Sequence, residues 1–80
     1  GYADAQYSLG LMYHYGLGVV PDYVQAHKWY NLAAAHSTES DRNQAVESRA
    51  AVEAEMLPAQ VAEAEKMAQE WRPERGNPGQ

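Results

Sequence analysis

Between Ala3 and Ala35 the chain has a helical pattern on both sides of one break, Gly16-Leu17-Gly18. Two glycines one residue apart supply backbone angles that other residues resist, so the first helix, from about Ala3 to Tyr15, ends in a tight reversal. Pro21 and Asp22 restart it, with Asp22 a good N-cap for a second helix from Tyr23 to about Ala35. The polar stretch His36-Ser37-Thr38-Glu39-Ser40 then reads as a linker. Ser40 or Asp41 caps a third helix to about Met56, and Pro58 suits the first turn of a fourth that ends near Trp71, before Pro73. Isoleucine is absent, valine is the sole β-branched aliphatic residue, and no stretch alternates with period two. Alanine is abundant in each segment, which favours helices and close packing. The expected class is all-α: antiparallel helix pairs, about four helices in all.

The first helix carries more than one apolar stripe. Ala5, Leu9, Met12 and Tyr13 define one face, and Tyr7, Leu11, His14 and Tyr15 a neighbouring one. A single antiparallel partner covers one face. Ala26, Trp29, Tyr30 and Ala33 of the second helix are that cover, with Trp29 as the bulk of the core. Tyr7, Leu11 and Tyr15 then need some other neighbour. Trp71 is expected to close the far end over Val61, Ala64 and Ala68.

Eleven acidic residues against six basic ones give a net charge of −5. The imbalance is local, since residues 39–65 carry seven acids against Arg42 and Arg49. Such a unit repels phosphate backbones and anionic lipid, which argues against nucleic acid and membrane partners. No apolar run approaches the roughly 18–20 residues that span a bilayer. With no cysteine, thiol chemistry and disulfides are excluded and the compartment stays open. The chain opens at Gly1-Tyr2-Ala3-Asp4, already inside a helical pattern, as a segment of a longer protein would.

Chemistry-bearing constellations are weak. His14, His27 and His36 lack the three- or four-residue spacing that puts two metal ligands on one helix face, so they read as surface or groove histidines. The glutamates at 47, 53, 55, 63, 65 and 70 read as a solvated face, because catalytic carboxylates need burial or coupling. No serine sits in a nucleophile elbow, and Gly16-Leu17-Gly18 is too short for a phosphate cradle. No catalytic, metal or cofactor site is expected.

Residues Ala3-x-Ala5, Leu9-Gly10, Tyr13, Gly16-x-Gly18-Val19, Asp22, Ala26, Trp29-Tyr30 and Ala33-Ala34 together resemble one Sel-one-like repeat, a relative of the tetratricopeptide repeat. The resemblance implies a fragment of a tetratricopeptide-like α-solenoid. It assigns residues 1–36 to one complete repeat and 37–71 to a divergent helical C-terminal cap like those after the last repeat in some bacterial members, while Pro73, Gly76, Pro78 and Gly79 mark 72–80 as a disordered tail. It implies a non-enzymatic scaffold that binds a protein or peptide along the concave face made by first helices. By position Asp4, Tyr7, Leu11, His14 and Tyr15 face that groove. They are a partner-binding stripe or a contact with a preceding repeat, and both readings stand. If the partner instead meets residues 39–65, that acidic surface favours a basic segment. The alternatives are a purely structural terminus and a homodimer through the exposed apolar face. Cysteine-rich relatives of the repeat are described as β-lactamases, a class this cysteine-free chain does not resemble.

Overall fold

Gly16 (φ +69°) and Gly18 (φ +80°) take left-handed angles, and a side chain at Gly16 would also run into Pro21. The Leu17 amide donates back to the Met12 carbonyl at 2.9 Å, closing the first helix with a Schellman-type bond. The Asp22 amide then bonds the Tyr13 carbonyl, and the Asp22 carboxylate accepts from the Gln25 amide at 3.1 Å, starting the second helix. The computed structural model describes residues 2–72. It holds four helices, α1 (Tyr2–Tyr15), α2 (Tyr23–His36), α3 (Glu39–Glu53) and α4 (Pro58–Glu70), with no strand among the described residues. The tail expected to be disordered, except its first residue, Arg72, lies outside them.

Two boundaries differ from the sequence reading. The α2–α3 connection is shorter than His36–Ser40: Thr38 is the N-cap, and Glu39 and Asp41 fall in the first turn of α3, where acids suit the positive end of the helix dipole. Arg42 Nε donates to the Ala34 carbonyl at 3.2 Å, and the Ser37 hydroxyl donates to the Ala33 carbonyl, so the end of α2 is bonded without a glycine. At the other end α3 stops at Glu53 rather than Met56. Pro58 forces Leu57 into an extended conformation, so the chain must turn through Ala54–Met56 first. Gln60 Oε1 then accepts from the Leu57 amide at 2.8 Å.

The extensive helix–helix contacts are α1 with α2, α2 with α3, and α2 with α4. The second helix is therefore the hub, and it buries Ala26, His27, Tyr30, Leu32, Ala33 and Ala34. One core cluster joins Ala26, Tyr30 and Val52, flanked by Tyr7, Leu11, Tyr13, Tyr23 and Met56, and a second joins Ala33, Ala34 and Ala45. Arg49 Nη1 donates to Asn31 Oδ1 at 2.7 Å, a further tie between α2 and α3.

Three expectations are corrected here. Tyr30, with no exposed surface, holds the core position given to Trp29, which is only half-buried. Gln6 and Gly10 are the buried line of α1, while Ala5 is exposed. His27 is not a surface or groove histidine: it is 1% exposed, and its Nε2 lies 3.0 Å from Glu53 Oε1 on α3. The α1–α2 contact depends on the missing side chain at Gly10, where a Cβ would sit 2.5 Å from Cδ1 and Cε1 of Tyr30.

Gly10→Ala should therefore lower stability by about 1–3 kcal/mol despite alanine's better helix propensity, because the buried ring cannot retreat. Tyr30→Ala should cost about 3–5 kcal/mol and Trp29→Ala clearly less. Thermal melts by circular dichroism rank the three; Trp29→Ala as the most damaging would reject Tyr30 as the core side chain.

Candidate functional site

The five residues expected on the concave face sit at different depths. A rotation of about 100° per residue puts Asp4 and Tyr15 on the outward line of α1 with Ser8, and these three are exposed. Tyr15 is 63% exposed and stacks on the His14 ring, with centroids 4.3 Å apart. Tyr7 and Leu11 lean toward α3. Tyr7 is half-buried, tilts against Tyr30 with centroids 5.5 Å apart, and shares a 2.8 Å hydrogen bond with the Ser48 hydroxyl of α3. Leu11 packs on the Ala26–Tyr30–Val52 cluster. His14 Nδ1 lies 3.0 Å from the Tyr30 hydroxyl, which satisfies a phenol that has no access to water.

Between α1 and α3 this arrangement leaves a small polar cleft of about 60 Å³, lined by Ala3, Asp4, Tyr7, Ser37, Asp41 and Gln44. Asp4 and Tyr7 are thereby joined by residues of the α2–α3 turn and α3. Leu11, His14 and Tyr15 lie further along α1, outside that cleft. Ser37, Asp41 and Gln44 went unnoticed in the sequence because nothing in their local pattern says that α3 lies beside α1.

Burial pushes the Tyr30 phenol well above its ordinary value of 10.0, with the Tyr7 and Tyr15 phenols adding to the rise. Tyr23 donates to Glu55 Oε1 at 2.8 Å, and that hydrogen bond to a carboxylate holds its proton on as well. Burial lowers Lys28, whose Nζ lies 4.2 Å above the Trp29 ring. No group of three or more His, Cys, Asp or Glu suited to a metal ion occurs among the described residues, and none of their helices is long and apolar enough to cross a membrane.

Residues 3–37 match the family model of the Sel1 repeat. Sel1 repeats are tetratricopeptide-like helical repeats that generally mediate protein–protein interaction and are not catalytic. No curated protein and no solved structure matches the chain significantly.

Because the folded protein holds the Tyr30 proton more tightly than the unfolded chain does, Tyr30 contributes stability that is whole below about pH 10 and is lost as pH rises through the folded value. Melting temperature should stay level from about pH 7 to 9 and fall from about pH 10 upward. Tyr30→Phe should flatten that alkaline fall, and an equally steep fall in the variant would detach it from Tyr30.

Proposed function

We propose that residues 3–37, which match the Sel1 repeat, work with α3 as a non-enzymatic docking surface for a protein or peptide, held along the α1 face. The polar cleft between α1 and α3 is the observation that carries this reading. Its lining residues include Asp4 and Asp41 together with Tyr7, Ser37 and Gln44, a set rich in oxygen acceptors. A lysine or arginine side chain supplies the matching donors and charge. The surrounding surface agrees in sign, since residues 39–65 carry most of the net negative charge. At the other end of the stripe, exposed Tyr15 offers a ring and a hydroxyl to the same partner. Tyr7 lines the cleft while half-buried, and Leu11 packs on the core cluster outside it.

A second reading makes residues 37–71 a terminal cap. Ala45 and Val52 alone are buried in α3, so its remaining surface is polar enough to end a row of repeats. The two readings are compatible, because a cap can border a groove. Self-association is the third, through exposed Tyr15, Leu17, Val20 and Leu57.

Calorimetric titration with a capped octapeptide of alternating alanine and arginine tests the first reading. Asp4→Asn with Asp41→Asn should weaken binding about tenfold with helicity retained. Salt at roughly 1 M, where the Debye length is about 3 Å, should weaken it further. Affinity unchanged by both would remove the cleft from the function, and an elution volume that shifts with protein concentration would favour self-association.

A further inference from the structure

Tyr2, Ala5 and Leu9 recur at i, i+3 and i+7 on the side of α1 opposite Tyr7 and Leu11. With Trp29 of α2 and Trp71 at the end of α4 they bound an apolar cleft of about 280 Å³, against a water's share of roughly 30 Å³. Trp71 is half-buried and reaches across from α4. It makes edge contacts with Tyr2 and Trp29 at centroid distances of 5.8 and 6.1 Å and a tilted contact with His36 at 5.9 Å. Three aromatic rings therefore meet where no helix covers them.

Gln6 also lines this cleft and is 3% exposed. Its Oε1 accepts from His36 Nδ1 at 2.9 Å, but its Nε2 is buried with no hydrogen-bond partner. Such a donor costs free energy that a methionine of similar length would not, so its presence in an apolar wall points to an acceptor that arrives from outside. Lys28, over the Trp29 ring, pairs with no carboxylate among the described residues. Gln6 Nε2 is thus an unanswered donor in the cleft wall, and the Lys28 cation sits over a ring that lines the cleft.

We propose that this cleft binds an extended peptide segment in which a large apolar side chain precedes an acidic residue. The apolar side chain fills the space between Leu9 and the rings of Tyr2, Trp29 and Trp71. Its main-chain carbonyl takes the Gln6 Nε2 hydrogen, and the acidic residue pairs with Lys28. An extended segment fits better than a helix, because carbonyls within a helix are already committed to its own bonds. The amide nitrogen is closed off from solvent, so a side chain of the cleft wall must move for the carbonyl to reach it. The site shares no lining residue with the cleft between α1 and α3, so it stands or falls independently of the function proposed above.

Both tryptophans of the chain line the site, so intrinsic emission reports its occupancy. Titrating the intact chain with capped Ala-Leu-Glu-Ala should give a saturable emission change, and capped Ala-Ala-Glu-Ala should bind at least about tenfold more weakly. Gln6→Met should raise the melting temperature yet weaken the leucine peptide about tenfold, a split that a merely structural glutamine would not produce. Lys28→Gln, a change at the rim, should weaken the Leu-Glu probe but leave a Leu-Gln probe unaffected. No saturable change with the wild-type chain, or undiminished affinity in folded Gln6→Met, overturns the site. Equal losses for both probes in Lys28→Gln overturn the acidic half of the assignment.

Discussion

The arrangement depends on one close approach, the Tyr30 ring lying against the bare backbone of Gly10. Because α1 has no side chain there, it settles deep onto α2, and the ring reaches the junction where Val52 of α3 also packs. A phenol placed so far from water must bring its hydroxyl to a partner, and His14, one turn along from Gly10, supplies it. Packing and hydrogen bonding thus converge on one side chain. Ala26, Ala33, Ala34 and Ala45 extend the same principle, since each is small where two helices meet.

With α2 as the hub, the two flanks of α1 meet different fates. The Tyr7–Leu11 flank is met by α3, through core contact and the Tyr7–Ser48 hydrogen bond. On the Tyr2–Ala5–Leu9 flank Trp29, Trp71 and His36 approach, and a cleft remains between Leu9 and the rings of Tyr2, Trp29 and Trp71. The two stripes are each split: Ala5 and Leu9 line an open cleft while Tyr13 packs on the core, and Tyr7 and Leu11 are covered while Tyr15 stays exposed. That follows from a rotation of about one residue: the helix turns Gln6 and Gly10, not Ala5 and Leu9, toward α2.

The helix count, the Gly16–Gly18 reversal, the Asp22 cap and the Pro58 start were legible because each rests on local backbone chemistry. What the sequence hid is angular. Trp29 and Tyr30 are neighbours, and Ala26 and Ala33 stand three or four residues from both, so spacing fits either ring against Gly10. Only the packed structure shows that the smaller ring, with a hydroxyl that His14 can satisfy, takes the enclosed place. Likewise no local pattern put Ser37, Asp41 and Gln44 beside Asp4, or Trp71 beside Tyr2. Those are meetings between elements far apart in the chain. The contact of buried His27 with exposed Glu53 escaped for the same reason, since the two lie 26 positions apart.

The two flanks of α1 also differ in polar character. On the α3 side Asp4 and Asp41 line the cleft and the acid-rich third helix extends their field. On the Trp29 side the polar neighbours are donors, Gln6 Nε2 and Lys28. Under the two proposals above, a partner lying across α1 would meet acceptors on the α3 side and donors on the Trp29 side. A segment with a basic side chain at one end and an acidic one at the other then has a single favourable orientation, because reversing it sets like charges together on both edges. A uniformly acidic surface attracts basic chains without fixing their direction; if both clefts are occupied as proposed, this polarity would select direction as well as partner.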